Sequence, residues 1–462
     1  MSQENAGQNL MDKLISLCKQ RGIILPGSEI YGGLANAWDF GPYGALLKNN
    51  IRQAWIKHFV TSRDDMVLLE SGVIMNSKVW EASGHIMNFT DPLVDCKKCK
   101  KRFRSDHILE QRSLEPGYAK EAPVDWSTMR CPECGGELTE VRQFNLMFKS
   151  TMGPVEEEGA TVYLRPELAG GMFTDFKLIQ QANRKRLPFG IAQVGKAFRN
   201  EITPGNYIFR TREFEIMELE YFVQPTAWEK AFEMWLGVMK SWLKSLGVAD
   251  NSLYFHEIPE GERAHYSKRT VDIEYHYPFG LKELYGLAYR TDYDLAQHAK
   301  HSGADLTYQD PETGEKFIPH VVEPSMGLER TVLVTLLSAY HEEEAPTAEA
   351  GETDRRVVLK LPKHLAPIQV AVLPLSKKEE LATVAQALAQ DLRQKFTVEY
   401  DDTQSIGKRY RRQDEIGTPY CVTVDFESLN DKAVTVRDRD SMKQERVKIQ
   451  EVREYLKDKF GS

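Results

Sequence analysis

"FRNEITPGNYIFRTREF", residues 198–214, is the stretch on which the fold turns. Within it, Thr203-Pro204-Gly205-Asn206 predicts a tight reversal, because proline fixes φ and glycine tolerates positive φ. The flanks, "GIAQVGKAFRNE" (190–201) and "YIFRTREFEIMELEYF" (207–222), have the length and residue types of strands. Two-residue alternation then sorts the side chains. Arg199 and Glu201 share one face of the first strand; Arg210, Arg212, Phe214, Ile216, Glu218 and Glu220 share one face of the second. Such a face offers guanidinium forks for phosphate, a ring for a base and carboxylates for amino groups, which suits a nucleoside triphosphate beside a small amine. Taken alone, the same charges fit equally a solvated hairpin laced by cross-strand ion pairs.

Working outward, the 462 residues suffice for two or three domains, and 41% hydrophobic with 28% charged residues is a soluble, globular balance. No apolar run reaches membrane-spanning length, and "MSQENAGQNLMDKL" lacks the apolar core of a signal peptide, so a cytoplasmic protein with no membrane partner is expected. A net charge of −8 gives no bulk attraction for nucleic acid; such contacts must rest on local patches. The chain has no G-x-x-x-x-G-K-[ST] loop, no G-x-G-x-x-G and no Ser-His-Asp or Cys-His arrangement. ATP would therefore be held by arginines on antiparallel strands.

Four of six cysteines form two C-x-x-C pairs, Cys96/Cys99 in "DCKKCKKR" and Cys131/Cys134 in "RCPECGGEL", whereas Cys18 and Cys421 stand alone. Two such knuckles fit four thiolates around a structural zinc, with Gly135 and Gly136 letting the backbone wrap close to sulfur. Four thiolates leave no open position for catalysis, and a cytosolic setting disfavours disulfides. The 31 intervening residues exceed ordinary ribbon spacing, so a segment must loop out between the knuckles.

"ALLKNNIRQAWIKHFV" (45–60) reads as an amphipathic helix and "DMVLLESGVIM" contains a strand. Residues 91–140 read as a cysteine-knuckle insertion, and strands dominate from 143 to 223 around a helix in "ELAGGMFTDFKLIQQANRK". "TAWEKAFEMWLGVMKSWLKSLG" predicts a helix packed by its Trp and Met residues, strands follow through 253–294, and "GLERTVLVTLLSAYHEE" begins another helix. "HEEEAPTAEAGETDRR" (341–356), acidic and poor in large apolar residues, reads as a linker. Beyond it, strand and helix alternate in a compact α/β domain with a parallel or mixed sheet. The expected domains are 1–340, 341–356 as linker, and 357–462.

These residues resemble a known family. "FRNE…RTREF" is similar to motif 2 of the class II aminoacyl-tRNA synthetases and "EPSMGLER" (323–330) to motif 3. "EIYGGLANAWDFGPYGALLKNNIRQAW" and "NEITPGNYIFRTREFEIMELE" resemble the glycyl-tRNA synthetases of the bacterial homodimeric, eukaryote-like type. The likeness continues into "SIGKRYRRQDEIGTPYCVTVDF", similar to the family's anticodon-binding domain. It implies an α+β catalytic domain on an antiparallel sheet, a zinc-knuckle insertion and a C-terminal α/β anticodon-binding domain. The implied function is ATP-dependent attachment of glycine to tRNA(Gly) through glycyl-adenylate, by a homodimer.

Residue by residue, the resemblance implies that Arg199 binds the α-phosphate, Glu201 accepts from the adenine amino group and Phe214 stacks on the base. Arg210 and Arg330 hold the outer phosphates, and Arg199 and Arg330 are the catalytic pair. Asn200, Phe209, Leu284 and Gly327 complete the ATP set, with Glu283 beside ATP and its Mg²⁺. Glycine falls to Arg104 (Arg102 being the second candidate), Glu167, Phe214, Glu218, Glu323 and Ser325, with Arg290 facing the carboxylate. The basic cluster "GKRYRR" implies tRNA contacts at Lys408, Arg409, Arg411 and Arg412, within a C-terminal domain (366–462) holding 17 basic and 17 acidic residues. Positioning and cationic stabilisation of phosphate charge suffice for such chemistry, and every competitor of glycine is larger and can be refused sterically.

Two departures stand out. The family usually reads "RPETAQG" where this chain has "RPELAGG", so Leu168 and Gly170 remove polar groups near Glu167. Ser77, in "MNSKVW", stands where the motif 1 proline is sought. Two alternatives follow: a catalytically silent, synthetase-like nucleic-acid-binding accessory protein, and an enzyme adenylating another small amino acid.

Overall fold

The computed structural model describes residues 3–113, 125–126, 128–153, 161–346 and 353–461. Its centre is a seven-stranded sheet: β1 (Met66–Leu68), β2 (Phe189–Phe198), β3 (Glu213–Val223), β4 (Leu253–Glu257), β5 (Arg269–Tyr277), β6 (Gly280–Thr291) and β7 (His320–Gly327). Their spatial order is β4-β5-β6-β7-β3-β2-β1. Every neighbouring pair is antiparallel except the edge strand β1, which runs parallel to β2.

Alternation along β3 decides what each face does. Met217, Leu219, Tyr221 and Val223 enter a large core with Trp55 of helix α1 (Pro42–Ile56) and Val332 of a later helix. The opposite side carries Phe214, Ile216, Glu218, Glu220 and Phe222, and its apolar members pack on α2 (Ala169–Ala182) through Phe173 and Phe176. Helix α3 (Trp228–Ser245) presents Phe232, Trp235, Met239 and Trp242 to the first core at helical spacing, as its sequence predicts. Then come α4 (Tyr293–Ser302) and α5 (Leu328–Ala339), the latter buried almost throughout because it lies under the sheet.

A bulge shapes the site face. Ile273 pairs with Tyr285 but Glu274 pairs with Glu283, leaving Leu284 as the extra residue. Both Leu284 and Tyr285 therefore turn into the core, fully buried, while the Glu283 side chain stays half exposed.

The reversal between β2 and β3 differs from its sequence reading. Gly205 and Arg210 exchange backbone hydrogen bonds of 3.0 and 3.2 Å, and Asn206 and Tyr207 take positive φ of 56° and 62°. The turn thus lies at 205–210, not 203–206, because Tyr207, Ile208 and Phe209 are drawn into the core. Arg210 and Arg212 precede β3, and the pleat does not set their direction.

The expected linker is also corrected. Tyr340–Pro346 and Thr353–Leu359 form an antiparallel ribbon, with 347–352 outside the described residues. Its register sets Glu343 opposite Arg356 and Glu344 opposite Arg355, so acids and bases that look like a solvated run in sequence neutralise each other across strands. Arg356, 4% exposed, also binds Asp414, which takes a bidentate pair from Arg437 at 2.9 and 3.1 Å.

That network reaches the C-terminal sheet of β8 (Val370–Pro374), β9 (Val398–Tyr400), β10 (Tyr420–Val424), β11 (Ala433–Asp438) and β12 (Gln444–Lys448), in the order β9-β8-β10-β11-β12. The first three strands are parallel and the last two antiparallel, which makes the sheet mixed. Helix α6 (Glu379–Leu392) packs Leu381, Ala385, Leu388 and Leu392 on it, and α7 (Ile406–Ile416) carries the basic cluster. Among the described residues no helix is long and apolar enough to cross a membrane.

Candidate active site

The site face of the large sheet holds two joined compartments. The first is a cleft whose walls include Arg199, Glu201, Arg210, Phe214, Glu283 and Arg330, with Phe209, Leu284 and Gly327 also bordering it. Arg199 leaves the end of β2, where its backbone N–H donates to Arg212 O at 2.9 Å and its Nε to Pro166 O at 3.2 Å. Its guanidinium sits 5.3 Å from the Phe89 ring and 5.6 Å from that of Phe214, leaving the other edge free for an anion. Arg330, in the first turn of α5, donates to Glu283 O at 3.0 Å and Phe209 O at 3.4 Å, and lies 4.4 Å over the Phe209 ring. Glu283 Oε2 is 3.3 Å from Arg330, whose charge, with Arg199 and Arg210 beyond, holds its carboxyl below the usual range. Glu201 keeps a buried Oε2 without a partner among the described residues, an acceptor available to a ligand amino group. Leu284 can offer only backbone.

The second compartment is acidic. Glu218 Oε2 accepts the backbone N–H groups of Leu168 and Ala169 at 2.8 and 3.1 Å, and its Oε1 accepts Ser325 Oγ–H at 2.8 Å. Burial raises this carboxyl, with Glu167 adding to the push. Glu167 goes the other way. Burial would raise it, but His85, at 3.2 Å, pulls it down to about 2 together with Arg290 and Arg199. The His85 ring is fixed by Ser83 Oγ, 2.8 Å from Nδ1. Glu323 on β7 meets Arg290 Nη1 at 2.9 and 3.0 Å.

Several expected placements change. Arg290, 1% exposed, spends one edge on Glu323 and the other on Asp294, at 2.7 and 2.8 Å, and lies 3.8 Å over Tyr266. It organises the acidic wall and has no edge left for a substrate carboxylate. Arg104 is clamped by Asp91 at 2.6 Å and by Asp106 at 3.1 and 2.6 Å, on a small sheet outside both compartments. Arg102 pairs with Asp95 at 3.3 Å. Asn200 and Arg212 line a separate groove beside Trp38 and Phe40. On α7, Arg409 is 2% exposed and donates to Pro374 O and Asp401 O, so it is a strut between strand ends, not a phosphate ligand. Arg411 pairs with Asp354 and Arg412 with Asp401, while Lys408 faces solvent.

Sequence reasoning missed His85, Tyr266, Asp294, Asp272 and Arg165. The backbone N–H of Leu168 supports Glu218 while its side chain joins the apolar core. At Gly170 a Cβ would come within 3.2 Å of the Trp80 ring, so the lost amide is replaced by aromatic packing. Ser77 precedes the short helix Lys78–Ala82, which buries Trp80.

The four knuckle cysteines converge. Cys96 and Cys134 Sγ are 3.5 Å apart and Cys99 and Cys131 Sγ 3.8 Å apart, close to the edge of about 3.8 Å of a tetrahedron with metal–sulfur bonds of about 2.3 Å. A Cβ on Gly136 would sit 3.0 Å from Cys96 Sγ and 3.3 Å from Cys134 Sγ, so only glycine leaves room for such a centre.

Residues 148–339 match the tRNA synthetase class II core domain (G, H, P, S and T), and residues 369–459 match the anticodon binding domain. The fold is similar to that of prolyl-tRNA synthetase from Cryptosporidium parvum complexed with L-proline and AMP: TM-score 0.62, 14% identity, 97% of this chain and 77% of that one. The chain is 50% identical to a glycine–tRNA ligase of Thermobifida fusca, over 99% of both chains. It is 52% identical to one of Clostridium acetobutylicum over 98% of this chain and 99% of that one. A silent accessory protein and an enzyme for another amino acid find no support among these relatives. Arginine-lined cleft, acidic pocket and full-length likeness agree: the chain belongs to the glycine–tRNA ligase family of class II aminoacyl-tRNA synthetases.

Proposed function

We propose that the two compartments carry the two halves of one reaction, the ATP-dependent attachment of glycine to tRNA(Gly). The observation that carries this reading is their continuity: Arg199, Glu283 and Ser325 border both. ATP lies with its base against Phe214 and its amino group toward Glu201, its α-phosphate at Arg199 and its outer phosphates at Arg210 and Arg330. Glycine lies with its ammonium toward Glu218, Glu323 and Glu167 and its carboxylate toward Arg199. A carboxylate oxygen attacks the α-phosphorus, the bond to the bridging oxygen breaks, and pyrophosphate leaves. The 3′-terminal ribose hydroxyl of tRNA then attacks the glycyl carbonyl and AMP leaves. Fixed cations stabilise the phosphate charge in a preorganised cleft, so no protein nucleophile is needed.

Mg²⁺ bound with ATP adds charge neutralisation, and Glu283, with Asp272 facing the same pocket, supplies the oxygen ligands that ion prefers. The four thiols suit a structural zinc, which keeps the insertion folded in a reducing compartment such as the cytoplasm. Lys408 with the surface-paired Arg411 meets tRNA phosphates, an exposed ion pair being cheap to exchange. Ile30 (88% exposed) and Tyr31 (87%) flank the groove at Trp38 and Phe40, an apolar edge that supports a homodimer.

Arg199→Ala tests the placement. Glycine-dependent ATP–pyrophosphate exchange falls by two orders of magnitude or more, at unchanged thermal stability, if Arg199 joins the compartments. Exchange within threefold of the parent protein refutes it.

A further inference from the structure

Glu220 has no part in the reaction as described, yet it is a fully buried carboxyl on the site face. It is 0% exposed, and among the described residues neither carboxyl oxygen has a hydrogen-bond partner. One of its oxygens and oxygens of Glu218 and Glu323 all lie within 4.8 Å of one another. Two ionised carboxylates at that separation repel by about 3–4 kcal/mol even at an effective dielectric of about 20. The charged groups facing Glu220 are Glu323, Arg290, Glu218 and Asp294. Arg290 is the one cation among them, and its fork is filled by Glu323 and Asp294.

We propose that Glu220 is a further positioning residue of the glycine pocket: a neutral carboxylic acid whose O–H is donated to the Glu323 carboxylate, so that Glu218 and Glu323 keep one fixed orientation and charge toward the ammonium. This rests on the glycine-pocket reading above. The proton belongs on Glu220 because Glu323 already receives two hydrogen bonds from Arg290, while Glu220 receives none. Burial raises the Glu220 carboxyl, with Glu323 adding to the push and Arg290 opposing, which agrees with that assignment. An ionised Glu220 would add a further negative charge beside Glu218 and Glu323, with the fork of the one cation facing it already filled. Its apolar strand neighbours, such as Ile216 and Phe222, cannot supply a counter-charge.

The test compares Glu220→Leu, Glu220→Gln and Glu218→Gln by glycine-dependent pyrophosphate exchange with the full chain. Glu220→Leu removes the donor and raises the glycine KM at least tenfold with the ATP KM within threefold. Glu220→Gln restores most of that loss, because an amide N–H can donate where a carboxylate cannot. If Glu220→Gln is as damaging as Glu220→Leu, a charge is needed there and the proposal fails. If Glu220→Leu leaves the glycine KM unchanged, no positioning role exists and it fails too. Glu218→Gln separates this from the underlying reading: a glycine KM unmoved by that change refutes the pocket itself. Should Glu220→Leu not fold, infrared spectra decide. The parent protein at pH 7 shows a protonated-carboxyl C=O band that Glu220→Gln removes; a parent spectrum without that band overturns the proposal.

Discussion

His85→Phe isolates one electrostatic interaction in the acidic wall. The ring position is retained, since His85 packs edge-on to Trp80 at 5.6 Å and tilted to Phe89 at 5.3 Å, and phenylalanine can occupy the same slot. What disappears is the 3.2 Å contact to Glu167, a carboxylate only 8% exposed. Burial works against the charged carboxylate, yet His85, with Arg290 and Arg199, brings its pKa from 4.5 to about 2. At 1.36 kcal/mol per unit, that depression corresponds to roughly 3 kcal/mol of stability, of which His85 supplies the largest favourable share. Because the folded pKa lies below the unfolded one, this stability is present above the unfolded carboxyl's range while His85 holds its proton, and it is lost as the pH falls toward 2. In urea denaturation, His85→Phe therefore lowers stability by about 2–3 kcal/mol at pH 6. The gap narrows by about a third to a half at pH 3.5, where the unfolded carboxyl is protonated and the native one is not. In a cycle with Glu167→Gln, the double variant loses little more than either single one. Equal stability of the parent and His85→Phe at pH 6, a gap independent of pH, or simple additivity in the cycle would refute the reasoning.

Other outcomes follow from the same geometry. Arg330→Lys gives up the planar fork over Phe209 and one charge-assisted bond of about 1.5–3 kcal/mol, so kcat/KM for ATP falls about 10–100-fold in pyrophosphate exchange, with the glycine KM little changed. If the four thiols hold zinc, elemental analysis finds one ion per chain in the parent and none in the Cys96→Ser/Cys131→Ser variant, whose melting temperature is lower. Arg409→Ala strips one buried and one half-buried carbonyl of their donor and destabilises the C-terminal domain by about 2–4 kcal/mol in calorimetry, whereas Lys408→Ala raises the KM for tRNA without altering stability. Gly195→Ala places a Cβ 2.5 Å from Arg165 Nη2, a side chain held by Lys196 O at 2.7 Å and Ser71 O at 2.9 Å. It lowers stability by about 1–3 kcal/mol in denaturant titration.

The part of the site that lies on β3 was legible because strands enforce a period of two. Phe214, Glu218 and Glu220 do share a face, and Phe214 borders the nucleotide cleft while Glu218 borders the acidic pocket. Alternation failed just before the strand, where Arg210 and Arg212 belong to a loop whose path is set by burial of Tyr207 and Phe209. A bulge at Leu284 likewise adds a residue that periodicity does not announce. Partners distant in sequence were invisible for a different reason. His85 reaches Glu167 across 82 positions and Glu323 captures Arg290 across 33, so nothing local marks either. The ribbon of Tyr340–Pro346 and Thr353–Leu359 reads as a linker in sequence because composition hides that its acids face its bases. Arg409 looked like a phosphate ligand for the converse reason, as a basic run does not say which of its members is buried.

The central claim is that this sheet face activates glycine and no larger amino acid. Pyrophosphate exchange with purified protein, ATP and magnesium tests it directly, with glycine set against alanine and serine. Exchange that depends on glycine, with alanine and serine near background, is the predicted result. A folded protein that exchanges with none of the three, or equally well with alanine, would contradict the account.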